Sequence, residues 1–162
     1  MDLLAGVTGT APALVTTAPE APGWRPGLEI VPDLISGGGA LGGIHAAVSR
    51  AAPDLVLCVA WDMPFLTAAL LTALVEGAAG FDAFLPESGG PRGVEPLCAV
   101  YGPACAAAIA KCHAAGDDRA IAFHDEVRVG TLSLARVRQL GDPARLFFNV
   151  NTPADLERAQ RP

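Results

Sequence analysis

One segment of this sequence, Leu55–Ala60 (LVLCVA), is apolar throughout and is followed by the polar break Asp62-Met63-Pro64. A continuous apolar run of this length is typical of a β-strand covered on both faces, as in a parallel sheet between two layers of helices. Shorter apolar runs elsewhere alternate with segments of helical character. The sequence therefore predicts an α/β fold with a mainly parallel sheet.

Glycine, proline and polar turn residues divide the chain into the elements of this fold. The predicted strands are Ala13–Thr17, Leu28–Val31, Leu55–Ala60, Phe81–Leu85, Leu97–Tyr101 and Phe147–Val150, with an extended segment at Val127–Leu134. The predicted helices are Leu41–Ala52, Thr67–Gly77, Pro103–Ala115 and a terminal helix after Thr152-Pro153, which suit its N-cap and first position.

The 162 residues suit one domain, residues 1–162, with 51% apolar residues to form its core. The formal net charge of −6 argues against a nucleic-acid surface, which needs cations to neutralise phosphates. No apolar run approaches the roughly 20 residues of a membrane helix, and no signal peptide pattern is found. The four cysteines form no C-x-x-C pair, so we expect free thiols and a cytoplasmic protein.

Polar residues follow three of the predicted strands, where ligands bind in open α/β sheets. They are Asp33, Asp62, and the pair Asn149 and Asn151. A carboxylate directly after a buried strand can hold Mg²⁺, although Asp62 before Met-Pro also suits a simple turn. The Asn pair offers amide groups to a ligand, and the pattern alone leaves a structural role open.

A glycine-rich turn, Ser36–Gly39 (SGGG), precedes the first long predicted helix. Glycines at a helix N-terminus let backbone N–H groups approach an anion or a ribose, and a tight connection explains them equally well. The turn lacks the Lys-Ser/Thr of a P-loop. No His/Cys cluster has the spacing of a zinc site.

Taken together, six segments resemble the molybdenum cofactor guanylyltransferase family, within the nucleotidyltransferases. They occur in the family's order and spread over most of the chain. They are VPD (Val31–Asp33), GGGALGGIHAAV (Gly37–Val48), WDMPFL (Trp61–Leu66), EPLCAVY (Glu95–Tyr101), AGDDR (Ala115–Arg119) and FFNVNTPADL (Phe147–Leu156).

The resemblance implies a three-layer, Rossmann-like nucleotidyltransferase fold and transfer of GMP from GTP to molybdopterin, with Mg²⁺ as cofactor. A molybdoenzyme or another cofactor-biosynthesis protein is the implied protein partner. The resemblance also assigns residues: Asp62 to Mg²⁺ and catalysis, Asp33, Leu41, Gly42 and Gly43 to the nucleotide, and Arg119, Asn149 and Asn151 to the pterin.

The sequence departs from the family pattern at three places. Trp61 replaces the small residue usual before Asp-Met-Pro, and Asp118 replaces one of two adjacent arginines. The family's first strand and Gly-rich phosphate loop have no counterpart before Ala13, so we expect an N-terminally truncated domain. By resemblance that strand lies mid-sheet, so either an edge of Leu55–Ala60 is open or this strand pairs directly with Ala13–Thr17.

Two alternatives remain at this level. One is the related molybdopterin cytidylyltransferase, because base-selecting residues lie partly in the segment without a counterpart. The other is a non-catalytic fragment that binds the pterin cofactor and delivers it to a partner enzyme.

Overall fold

The computed structural model describes residues 2–24 and 26–160. Eight helices, six strands and one 3₁₀ turn are found in these ranges. The strands are β1 (Ala13–Val15), β2 (Glu29–Val31), β3 (Val56–Val59), β4 (Ala83–Pro86), β5 (Cys98–Tyr101) and β6 (Val129–Leu132). The helices are α1 (Asp2–Thr8), α2 (Ala21–Trp24), α3 (Gly39–Ala51), α4 (Ala68–Gly77), α5 (Ala104–Ala114), α6 (Leu134–Leu140), α7 (Pro143–Leu146) and α8 (Pro153–Ala159), with the 3₁₀ turn at His124–Glu126.

The strands form two sheets, and three of the four strands in the larger sheet point in one direction. β1 and β2 pair in parallel, and the larger sheet has the order β3-β5-β4-β6. In that sheet β6 is parallel to β4, whereas β5 is antiparallel to both β3 and β4. The predicted α/β fold with a mainly parallel sheet is confirmed, and β5 is the strand that runs the other way.

Helices cover both faces of the larger sheet, which gives three layers. Alternate residues of β4 and β5 face opposite ways. On one face Leu85 and Tyr101 join a core with α3 and α5. On the other face Phe84 and Val100 join a core with α4, α6 and α7.

β3 is formed by residues of the continuous apolar run Leu55–Ala60. Its register places Val59 beside Cys98 of β5. Within the described ranges no strand pairs with its other edge, because β1 pairs with β2 alone. Of the two arrangements expected from the sequence, the structure has the open edge. All four β3 residues are consequently half-buried.

Helix caps follow the sequence closely. The Thr67 side chain accepts a hydrogen bond from the Leu70 N–H (3.3 Å) at the start of α4. Thr152 and Asp155 form a reciprocal capping box at the start of α8, with Pro153 in the first turn. The N-cap prediction at Thr152 is confirmed, and Thr67 caps α4 in the same way, since Ser and Thr oxygens satisfy the free N–H groups of a first turn.

None of the helices in the described part of the chain has the length and apolar character that crossing a bilayer requires.

Candidate active site at the carboxyl end of the sheet

Asp62 lies three residues beyond the last residue of β3, at the edge of the sheet where β3, β4 and β6 end. Its backbone carbonyl accepts a hydrogen bond from the Val150 N–H (2.9 Å), which fixes the turn. Its half-buried carboxylate makes no hydrogen bond or ion pair with any described residue. A half-buried carboxylate without a partner is poised to bind a cation.

Glu95 is a second carboxylate at the same edge. Because β5 is antiparallel, its first residue, Cys98, lies beside the end of β3, and this brings Glu95 close to Asp62. Burial raises the pKa of Glu95, Arg92 lowers it, and the negative charge of Asp62 raises it further. The site therefore holds two carboxylates that repel each other, as neighbouring ligands of a divalent cation do before it binds.

The predicted glycine-rich turn leads into α3. Gly37 has a φ of +79°, a conformation that glycine adopts without strain. A Cβ on Gly38 would lie 3.1 Å from the Gly42 backbone, and one on Gly42 would lie 3.3 Å from the Ile35 carbonyl oxygen. Close packing of this turn therefore explains Gly38 and Gly42 without a ligand.

The other nucleotide residues assigned by resemblance differ in exposure. Asp33 is half-buried two residues after β2 and makes no hydrogen bond with any described residue. The Leu41 side chain is fully buried in the core, so only its backbone can face a ligand. A Cβ on Gly43 would meet no atom within 4 Å, so Gly43 borders open space.

The segment around Asn149 and Asn151 is not a strand, so the predicted strand Phe147–Val150 is wrong. Val150 donates its N–H to the turn at Asp62 instead of to a strand ladder. The Asn151 N–H donates to the Asp155 carboxylate (3.3 Å) as part of the α8 cap. Both Asn side chains are exposed on either side of Val150, close to Asp62 along this connection.

Arg119 lies in the turn after α5, and its guanidinium is already engaged. Two of its nitrogens donate to the Asp117 carboxylate, at 2.6 and 2.9 Å. The Arg119 hydrogen bonds hold the pKa of Asp117 down to about 2. Asp118, which replaces a family arginine, contacts His113 Nδ1 at 2.5 Å. The expected pterin-side cation is therefore neutralised within its own turn.

A cavity of about 410 Å³ opens beside Asp62; we call it the Trp61 cavity. Its walls include Trp61, Asp62, Pro64, Phe65, Val150 and Leu156. The Arg145 guanidinium carbon lies 4.3 Å above the centre of the Phe65 ring. Arg145 makes no hydrogen bond or salt bridge in the described ranges, and this cation–π contact joins it to one residue of the cavity wall.

The sequence did not predict three residues around the candidate site, which are Glu95, Arg145 and Trp24. Glu95 lies within the EPLCAVY segment, but its closeness to Asp62 depends on the direction of β5. Arg145 precedes the FFNVN segment and carries no pattern of its own. Trp24 is far from Asp62 in sequence and reaches it only through a contact with Trp61.

Comparison with known proteins decides the family. Residues 2–129 match the model of the MobA-like NTP transferase domain. This chain belongs to that family. The family is one of nucleotidyltransferases, so the predicted enzyme class and the resemblance are confirmed.

Relatives and a solved structure support the same assignment. A probable molybdenum cofactor guanylyltransferase from Pelotomaculum thermopropionicum is 42% identical over 150 residues, covering 93% of this chain and 72% of the relative. A molybdenum cofactor guanylyltransferase from Desulfosudis oleivorans is 33% identical, covering 85% and 67%. Molybdopterin-guanine dinucleotide biosynthesis protein A from Archaeoglobus fulgidus has a TM-score of 0.80 and 29% identity, covering 98% of this chain and 81% of that one.

Proposed function

We propose that this protein transfers GMP from GTP to molybdopterin. The observation that carries the proposal is the Asp62 carboxylate, which has no partner among the described residues and lies beside Glu95 at the carboxyl end of the sheet. Relatives named molybdenum cofactor guanylyltransferase favour GTP over CTP as the nucleotide. In this reaction a pterin phosphate oxygen forms a bond to the α-phosphorus of GTP, and the bond to the bridging oxygen breaks to release pyrophosphate.

Asp62 and Glu95 fit a Mg²⁺ ion, since this cation takes one or two carboxylates and fills its other positions with water and phosphate. Bound there, Mg²⁺ would neutralise charge on the phosphate oxygens. The carboxylates keep that edge of the sheet negative, which disfavours a triphosphate in the absence of a cation. Arg92 and Arg145, which lack hydrogen-bonded partners among the described residues, are available to bind phosphate oxygens.

On the nucleotide side, we assign Asp33, Gly42, Gly43 and the backbone of Leu41 to GTP. Gly43 supports this best, because the space beside it is open. The N-terminus of α3 presents N–H groups without a side-chain cap at the same turn.

On the pterin side, we assign Asn149, Asn151 and Arg119. The exposed Asn side chains are free to donate and accept hydrogen bonds. Arg119 contributes to pterin phosphate only by leaving Asp117, which makes its role conditional on the ligand.

Location and partners complete the proposal. Four free cysteines, of which Cys98 and Cys105 are buried, suit the reducing cytoplasm. A molybdoenzyme or another cofactor-biosynthesis protein would accept the product.

The test is GMP transfer from α-labelled GTP to molybdopterin, with pyrophosphate measured in parallel. The assay uses the 162-residue chain and a loop-extended version, in which a strand and Gly-rich phosphate loop of the family pattern precede residue 1. We expect Asp62→Asn to lower transfer by about 100-fold or more, as loss of a positioned charged group does. Asp54→Asn, an exposed carboxylate at the opposite end of β3, is the matched control and should remain active.

Transfer by Asp62→Asn at the rate of the unchanged protein would remove Asp62 from the site. Use of CTP in place of GTP would reassign the reaction to cytidylyl transfer.

A further inference from the structure

Both tryptophans of the chain form one stacked pair next to Asp62. The ring centres of Trp24 and Trp61 lie 5.8 Å apart, and the ring planes differ by 5°. This spacing is that of offset stacked aromatic rings. Trp24 ends α2, in the connection between β1 and β2, whereas Trp61 directly precedes Asp62. The pair therefore joins two distant parts of the chain at the candidate site.

The pair is unusually exposed for tryptophan. Trp61 is 83% exposed and Trp24 is 48% exposed, whereas this residue type is highly buried on average. An indole that was needed only to pack the core would be covered by its neighbours. Contiguous exposed apolar surface, such as two stacked indoles beside a cavity, is a feature of ligand-binding and interaction sites.

The Trp61 cavity lies on the side of this pair next to Asp62. Its described lining includes Trp61 but not Trp24, so Trp61 lies between Trp24 and the cavity. Its volume of about 410 Å³ falls within the usual 300–1,000 Å³ range of small-molecule sites. Phe65, Val150 and Leu156 supply further apolar wall. Largely apolar walls that include an indole and a phenyl ring suit a planar ring.

We propose that Trp61, backed by Trp24, is a stacking platform for the planar fused ring of a substrate bound beside Asp62. The assignment rests on the proposed function, which supplies two such rings, guanine and pterin. Both share a 2-amino-4-oxopyrimidine edge and a flat π surface, so both can stack on indole. Trp24 holds Trp61 in one orientation, which reduces the side-chain entropy lost on binding.

A purely structural pair would only hold the α2 connection against the turn at Asp62. The two roles separate experimentally, because a structural pair would affect stability and not the preference for ringed ligands. The chain has no tryptophan outside the pair, so its tryptophan fluorescence reports on the pair alone.

The experiment measures binding of three probes to the 162-residue chain by isothermal titration calorimetry, with tryptophan fluorescence recorded in parallel. Pterin-6-carboxylic acid supplies the pterin ring, GMP supplies guanine, and ribose 5-phosphate has no ring. We expect a ringed probe to bind and to quench tryptophan emission, and the ringless probe to do neither. Binding of only one ringed probe identifies the source of the ring and supports the platform.

Trp61→Ala should weaken binding of the ringed probe by about 5- to 150-fold, the range for loss of one base–aromatic stack. Trp24→Phe keeps an aromatic backing ring and should bind nearly as well as the unchanged chain. Leu34→Ala, an exposed apolar residue outside the cavity lining, is the surface control. Circular dichroism and thermal unfolding confirm that each variant is folded, and a variant that fails to fold is replaced by Trp61→Leu.

Equal affinity for ringed and ringless probes, or unchanged affinity in folded Trp61→Ala and Trp61→Leu, would overturn the platform. Tryptophan-dependent ring binding, together with no GMP transfer by the 162-residue chain or by the loop-extended version, would support the platform and reject the proposed function. GMP transfer that is unaffected by Trp61→Ala would reject the platform and leave the proposed function standing.

Discussion

Gly43→Ala separates a structural from a functional role of the glycine-rich segment. Gly43 lies inside α3, and a Cβ there would meet no atom within 4 Å. Alanine in a helix interior is favoured over glycine by roughly 0.5–1 kcal/mol, because glycine loses more backbone entropy on folding. For a chain of this size, we expect the free energy of unfolding to rise by that amount and Tm to rise by about 1–4 °C.

The same substitution should lower activity if Gly43 borders the nucleotide. The added methyl group enters the open space beside the turn, where the backbone would otherwise approach the ligand closely. We expect a rise in KM for GTP with a smaller change in kcat, measured in the GMP transfer assay with the loop-extended version. Thermal unfolding is followed on the same preparation.

Two further glycine substitutions give matched controls. Gly6→Ala in α1 is also in open space, so it should raise Tm similarly without changing KM. Gly42→Ala places its Cβ 3.3 Å from the Ile35 carbonyl oxygen, so it should be less stable than Gly43→Ala. A lower Tm for Gly43→Ala would refute the geometric reasoning, and an unchanged KM would remove Gly43 from the nucleotide site.

Two further outcomes can be measured directly. By the family resemblance the phosphate loop lies outside residues 1–162, so we expect these residues alone to bind GTP·Mg²⁺ weakly or not at all; micromolar affinity by calorimetry would contradict this. Burial lowers the pKa of His124, against a smaller opposing effect of Asp125, so the unfolded chain takes up this proton first as pH falls. The stability that neutral His124 contributes is complete above its unfolded pKa of about 6.5 and is lost as pH falls through the lower folded pKa. Urea unfolding at pH 7.5 and 5.5 should show this loss, and His124→Leu should reduce it; an equal loss in both proteins would exclude His124 as a source.

The sequence predicted most elements because buried strands and capped helices carry local signals. Val56–Val59 is apolar throughout, and Thr152 with Pro153 marks a helix start by its own chemistry. The direction of β5 could not be predicted, since Cys98–Tyr101 is buried on both faces and reads the same in either orientation. α6 was not predicted, because its N-cap lies within a segment whose residues favour an extended chain. That N-cap is Ser133, whose side chain accepts a hydrogen bond from the Arg136 N–H (3.3 Å).

The residues of the candidate site also fall into two groups, those with a local sequence signal and those brought there by long-range contacts. Asp62 was predicted because a carboxylate after a buried strand is a local signal. Glu95 reaches Asp62 only through the antiparallel entry of β5, and Trp24 reaches Trp61 only through a long-range contact. The apolar run of Phe147–Val150 suggested a strand, but Phe148 packs on Phe65 instead (6.2 Å between ring centres). A local sequence pattern therefore identified Asp62, whereas tertiary contacts determine which residues surround it.

The unpaired edge of β3 supports a prediction that combines the structure with the family resemblance. Val56–Val59 pair with β5 on one side, and no described strand pairs on the other. α3 nevertheless packs on β1, β2 and β3, so it covers both sheets although they are not hydrogen-bonded to each other. The family resemblance places a strand in this position. A strand there would pair backbone groups along β3 and cover side chains that are now half-buried.

We therefore expect the loop-extended version of the protein to be more stable than the 162-residue chain. Pairing one otherwise unsatisfied backbone group contributes roughly 1–3 kcal/mol, which corresponds to about 2–12 °C in Tm at this size. An open apolar edge also invites pairing with another chain, so the 162-residue chain should scatter more light at high concentration. Thermal unfolding and static light scattering on both versions measure these effects. Equal Tm values with both proteins monomeric would show that β3 needs no further strand and that the family mapping of this edge is wrong.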